Sequence, residues 1–200
     1  MAIFLLAAFA ILAVADWFAV ARGHRRLEWV AKPGAVVALL VWAAVAEQVS
    51  PLLLIALACS LAGDVLLMLP RKRFIAGLFA FLLAHLAYVG CFRVPLGSRM
   101  FAWVVVLLTT APVAIVLLRA IKDSRLRIAV ATYVGAIGLM VASAVTSGNP
   151  TAAGGAFLFM TSDLVIGWNR FVERLPHAEP MIMVTYHLGQ LGLVSALRGP

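Results

Sequence analysis

Long apolar runs alternate with short polar ones along the whole chain. Runs broken by charge, proline or glycine fall at about 3–21, 34–49, 51–69, 74–92, 100–118, 127–146, 151–170 and 180–197. Each is close to the roughly 20 residues an α-helix needs to cross a hydrocarbon core. The pattern therefore predicts an all-α, polytopic membrane helix bundle of about eight transmembrane helices, forming a single domain over residues 1–200. The narrowest break lies between the second and third runs, where Glu47, Gln48 and Pro51 stand against one continuous helix. The first run has no basic segment before it, and its charges follow at Arg22, Arg25 and Arg26. That order predicts a first membrane helix rather than a cleaved leader.

Composition strengthens this reading. The chain is 64% hydrophobic and 12% charged, with a mean hydropathy of +1.07, whereas soluble domains are about half apolar and a quarter charged. The net charge of +8 does not point to nucleic acid, because the basic residues sit in short clusters between apolar runs, as residues that fix membrane orientation do. The connections after runs 1, 3, 5 and 7 hold 13 of the 16 lysines and arginines. Arg93, Arg99 and Arg198 fall on the other side. The positive-inside rule then puts both termini outside the cytoplasm. Cys59 and Cys91 belong to no CxxC pair, so neither a disulfide nor a cysteine metal site is expected.

The polar residues inside the runs change the picture from a bundle to a candidate enzyme. At 1.5 Å of rise per residue, Asp64 lies roughly 9 Å inside the boundary marked by Pro70, Asp163 about 10 Å inside Arg170, and Asp16 about 9 Å inside Arg22. Tyr133 and Tyr186 enter from the same side to similar depth, while His85 lies nearer the midplane. Carboxyl groups at such depth are rare and face a bundle interior or a wet cavity. Out of water the neutral carboxyl is favoured, and of two neighbours only one ionises cheaply. One acid and one anion result, the division of labour used on labile ethers and acetals. Asp64 and Asp163 are thus the candidate catalytic pair. His85, Tyr88, Tyr133, Tyr186, Gln190 and Asn169 are candidate substrate-binding residues, with packing or interhelical hydrogen bonding as their ordinary alternative. Lys32, before Pro33 at an expected helix start, either snorkels or holds an anionic group. Asp16 stands alone beside Trp17 and is expected to be structural. Asp64, His85, Asp163 and His187 show no metal-ligand spacing such as HExxH, so no metal or other cofactor is expected. Gly63, Gly77, Gly154 and Gly155 are expected to let helices approach closely.

"HLAYVG" (85–90) and "HLGQLG" (187–192) each follow an aspartate-bearing run, which suggests a parallel 4+4 internal repeat. Buried aspartates on repeated helix pairs would also suit a proton-coupled transporter, whose usual pointer is broken helices at the midplane.

Four segments together resemble the YhhN family of integral membrane proteins, which includes lysoplasmalogenases. They are Lys32-Pro33, "GDVLLM" with "FIAGLFAFLLAHLAY" (63–88), "GGAFLFMTSDLVIGWNRF" (154–171) and "TYHLGQ" (185–190). The resemblance implies a membrane hydrolase that cleaves the vinyl-ether bond of a lysoplasmalogen to a fatty aldehyde and a glycerophospho-base. The family's two essential aspartates match Asp64 and Asp163. The partners implied are a lysophospholipid substrate and membrane lipids. The Ala- and Arg-rich composition suggests a bacterial inner membrane.

Overall fold

A computed structural model describes residues 1–69, 73–94 and 100–199. Pro70, Arg71, Lys72 and Arg99, used above to mark a boundary and a side, lie outside these residues. The described residues form eight α-helices: α1 (Ala2–Arg22), α2 (Arg25–Ala44), α3 (Pro51–Met68), α4 (Phe74–Cys91), α5 (Met100–Ala120), α6 (Ser124–Thr146), α7 (Pro150–Phe171) and α8 (Ala178–Leu197). Seven of them are long and apolar enough to cross a membrane. The exception, α7, has the length at 22 residues, but Gly154, Gly155, Thr161, Ser162, Asp163 and Asn169 dilute its hydropathy. Phe4, Ile11, Phe101, Leu108 and Ile128 point outward, as apolar side chains facing lipid would. The protein is a multi-pass membrane helix bundle.

The helix limits have local causes. Gly23 adopts the left-handed conformation (φ 70°) that ends α1. Pro51 opens α3 in its first turn, where no intrahelical N–H is needed. Asp123 accepts from Leu126 N at the start of α6. Asn149 accepts from Thr151 N and Ala152 N at the start of α7, with Pro150 in the first turn. The break expected at Glu47–Pro51 is present.

The second helix departs from expectation. It was expected at about 34–49 but runs from Arg25 to Ala44. Arg25, Arg26 and Lys32 are therefore helical rather than in a loop, and Lys32-Pro33 does not start a helix. The first turns, "RRLEWVAK", are good helix formers with a polar face, which hydropathy alone mistakes for a connection. Pro33 removes the N–H that would bond to the Trp29 carbonyl, a defect that membrane helices tolerate when neighbours cover it.

Three helical hairpins, α1–α2, α3–α4 and α7–α8, pack most closely, and α6 lies against both α4 and α7. Two of the hairpins, α7–α8 and α3–α4, owe their closeness to glycine. A Cβ at Gly189 would come 2.7 Å from Phe159 N, and one at Gly155 would come 2.7 Å from Leu193 N. On the other hairpin a Cβ at Gly63 would enter the Phe81 ring at 2.5 Å, and one at Gly77 would meet Leu67 at 2.7 Å. Gly154, expected to do the same, faces open space. These approaches set the register of α7 on α8 and of α3 on α4, the four helices that carry most of the buried polar residues.

Candidate active site

Asp64, His85, Tyr88, Tyr133, Asp163, Tyr186 and Gln190 converge in the interior from α3, α4, α6, α7 and α8. They form two polar groups. In the first, each donor points toward the next acceptor: Tyr88 Oη donates to Gln190 Oε1 (2.5 Å), Gln190 Nε2 to Tyr186 Oη (3.2 Å), and Tyr186 Oη to Asp64 Oδ2 (2.6 Å). The other oxygen of Asp64 lies 3.3 Å from Lys32 Nζ. Lys32 therefore does not snorkel. Its side chain is 8% exposed and that of Asp64 is 1% exposed, so the ion pair is withdrawn from solvent. Such a pair is sustained only when its remaining polar atoms are also satisfied, and Tyr186, itself held by Gln190, supplies that for Asp64.

In the second group Tyr133 Oη donates to Asp163 Oδ2 (2.7 Å), and His85 Nε2 lies 3.5 Å from the same oxygen. His85, expected nearer the midplane than the aspartates, nonetheless comes within 3.5 Å of Asp163. His187 belongs to neither group: its Nδ1 accepts from Trp17 Nε1 at 3.0 Å. Asn169 is remote from both carboxyls. Its Oδ1 accepts from Leu175 N at 2.9 Å and ties down the chain beyond α7.

The two groups are bridged by aromatic rings. Phe159 packs against His85 (centroids 4.8 Å apart), Tyr186 (5.2 Å) and Phe81 (6.1 Å). Phe81 also meets Tyr186 edge-on. Phe159 lies one turn before Asp163, and Phe81 one turn before His85, so each projects from the same helix face as a polar residue.

Access distinguishes the two aspartates. Asp163 and Tyr133 line a narrow apolar cavity of about 50 Å³ walled by Leu78, Leu117, Val130 and Ile137. Beside it lies a wide polar basin of about 1,470 Å³, open to solvent, which Lys32, Arg25, Glu28, Asn169 and Arg174 help to line. Leu67, Phe74, Ile166 and Phe171 line both spaces, so the two adjoin. At this seam the Arg170 guanidinium stacks 3.7 Å over the Phe74 ring. Asp64 lines neither space and lies behind Lys32 and Tyr186.

Phe81 and Phe159 were not expected at the site. Asp16 is fully buried, with neither carboxyl oxygen hydrogen-bonded among the described residues.

A helical membrane bundle with buried carboxyls beside adjoining apolar and polar cavities defines a class: a polytopic integral membrane protein with an internal candidate site. Comparison with known proteins narrows it. The model of the YhhN family matches residues 27–197, and the chain belongs to that family. It is similar to human "Lysoplasmalogenase TMEM86B", 36% identical over 147 residues that cover 72% of this chain and 63% of the relative. The pig protein of the same name is 35% identical over 68% of this chain and 58% of its own length. "Lysoplasmalogenase" of Mycobacterium tuberculosis is 34% identical over 75% of this chain and 62% of its own length. The matches thus span less than two thirds of these relatives' length. No solved structure matches the chain.

Proposed function

We propose that this protein is a lysoplasmalogenase-like hydrolase of the cell membrane that cleaves the vinyl-ether bond of a lysophospholipid, with Asp163 as the proton donor. The observation that carries the assignment is the opening of Asp163 onto the apolar cavity, next to a polar basin lined by Lys32, Arg25 and Arg174. An amphiphile has both parts. Its alkenyl chain fits the apolar slot, its phosphate the basic side chains, and its vinyl ether the seam between them. The names of the relatives point to the same substrate class.

The chemistry asks little more of the protein. Hydrolysis of a vinyl ether begins with proton transfer to the β-carbon, which leaves an oxocarbenium ion. Water adds to that ion and loses a proton, and the hemiacetal collapses to an aldehyde and the glycerol hydroxyl. In this reading Asp163 gives the first proton and, as carboxylate, recovers one from the attacking water. Tyr133 fixes the carboxyl through a 2.7 Å hydrogen bond, and His85 stands 3.5 Å from the same oxygen. Asp64 acts from behind the wall: it is a poor donor while paired with Lys32, and as an anion beyond Tyr186 and Phe159 it favours a cation forming near Asp163. Lys32 faces both Asp64 and the basin, and so links headgroup binding to the buried group. Tyr88 and Gln190 hold Tyr186 in place rather than touch substrate.

The test is aldehyde release by the purified protein in detergent from a lysolipid panel: 1-alkenyl, 1-alkyl and 1-acyl lysophosphatidylethanolamine and lysophosphatidylcholine. The expected result is aldehyde from the alkenyl lipids and no product from the alkyl ethers. Fatty acid from the acyl lipids with no aldehyde would make the protein a different lysolipid hydrolase. No turnover of any member would favour the transporter reading.

A further inference from the structure

The first turns of α2 carry a carboxylate and an indole that the proposed mechanism does not use. Arg25, Glu28, Trp29 and Lys32 all border the polar basin. Their spacing of i, i+3, i+4 and i+7 is that of one helix face, so α2 presents Glu28 and Trp29 to the basin with Arg25 one turn before and Lys32 one turn after. A glutamate in that register ordinarily pairs with the lysine four residues on. Here Lys32 is turned inward and held 3.3 Å from Asp64. The other ion pair among the described residues is His85–Asp163, so Glu28 is left without an ionic partner there. Trp29 beside it is 41% exposed. An exposed tryptophan also suits a membrane interface, and a carboxylate in the first turn of a helix complements the helix dipole. Glu179 of α8 borders the basin on that second ground alone. Glu28 and Trp29 differ in standing side by side, in a basin whose charged residues are mainly basic.

We propose that Glu28 and Trp29 form a binding subsite for the ammonium of a zwitterionic headgroup, and so make the basin selective for phosphoethanolamine and phosphocholine lipids over anionic ones. A carboxylate attracts either ammonium by charge, and the face of an indole is the best side-chain surface for a quaternary one. The basic residues a turn away take the phosphate. One turn is about 5.4 Å along the helix, the order of the span that the two-carbon linker of such a headgroup sets between its charges. A basin of cations alone would favour an anionic headgroup, so the open carboxylate is what shifts the preference. That the ligand is a lysolipid rests on the proposed hydrolase function; the ammonium subsite does not depend on which bond is cleaved.

The experiment is equilibrium binding of 1-alkyl lysolipids, the ethers expected to resist cleavage, to the purified protein in mild detergent. Members with one and the same alkyl chain, bearing phosphoethanolamine, phosphocholine, phosphoglycerol or bare phosphate, cancel the contribution of the tail. The wild type is expected to bind the zwitterionic members more tightly than the anionic ones. Glu28→Gln keeps the shape and removes the charge. It is expected to weaken binding of the zwitterionic members about three- to fivefold, the size of a solvent-accessible charge pair, and to leave the anionic members unchanged or tighter. Glu28→Lys is expected to reverse the order of the panel. Trp29→Leu is expected to weaken phosphocholine more than phosphoethanolamine. Equal weakening of every member by Glu28→Gln, or an unchanged order in Glu28→Lys, would overturn the proposal. Failure of the hydrolase is read separately. A wild type that releases no aldehyde from alkenyl lipids yet shows this headgroup order keeps the subsite and loses the reaction; one that releases aldehyde without favouring the zwitterionic members keeps the reaction and loses the subsite.

Discussion

Removing the Tyr186 hydroxyl separates structural from chemical use of the two tyrosine–aspartate bonds. Tyr186→Phe deletes one donor and one acceptor at once: the 2.6 Å bond to Asp64 and the 3.2 Å bond from Gln190 Nε2. Hydrogen bonds to charged groups contribute about 1.5–3 kcal/mol, and neutral ones such as the Gln190–Tyr186 bond within α8 about 0.5–1.5 kcal/mol. Asp64 lines neither cavity, so water cannot easily replace the lost donor, and a loss of about 2–3 kcal/mol is expected. Tyr133→Phe deletes a bond of nearly equal length, 2.7 Å, but to Asp163, whose side chain is 9% exposed and borders a cavity. Water can substitute there, so a loss of about 1 kcal/mol or less is expected. Equilibrium unfolding of both variants in mixed micelles measures the difference. The activity order should be the opposite, with Tyr133→Phe losing more in kcat, because it touches the proposed acid. Equal destabilisation by the two substitutions, or a greater loss from Tyr133→Phe, would refute the reasoning from access.

Two further substitutions test the packing around the site. Gly189→Ala places a methyl group where Phe159 N already stands 2.7 Å away; it should lower stability by about 1–3 kcal/mol and reduce activity by displacing Phe159 and Tyr186, both measurable on one purified sample. Gly167 lines the apolar cavity, where a Cβ would meet Leu117 at 3.0 Å. Gly167→Val should therefore raise KM for long alkenyl chains more than for short ones in a chain-length series, and an unchanged chain-length preference would remove the cavity from the proposed tail site.

The parts of this molecule legible in its sequence are those governed by one strong local term. Eight helices appear near the expected places because apolar length is dictated by the bilayer. Asp64 and Asp163 stand out because a carboxyl in a run such as "SLAGDVLLML" is costly enough to need a reason. The beginning of α2 was hidden because its polar first turns resemble a connection. Partnership was hidden as well. Nothing local distinguishes Tyr186 as the donor to Asp64 from Tyr133 as the donor to Asp163, since both enter at similar depth; the choice depends on how α8 packs beside α7 through Gly155 and Gly189. Phe159 and Phe81 were silent because aromatics in an apolar run carry no contrast. Asp16 was legible by depth, but nothing local showed that its carboxyl is fully buried on the inward face of α1.

The central claim is that Asp163, rather than Asp64, delivers the proton. A single-turnover aldehyde-release assay with excess enzyme and an alkenyl lysolipid, comparing wild type, Asp163→Asn and Asp64→Asn, tests it most directly. The account predicts no detectable burst from Asp163→Asn, with lysolipid still bound, and a slowed but measurable one from Asp64→Asn. A wild-type burst from Asp163→Asn, or activity in Asp163→Asn alongside none in Asp64→Asn, would contradict it.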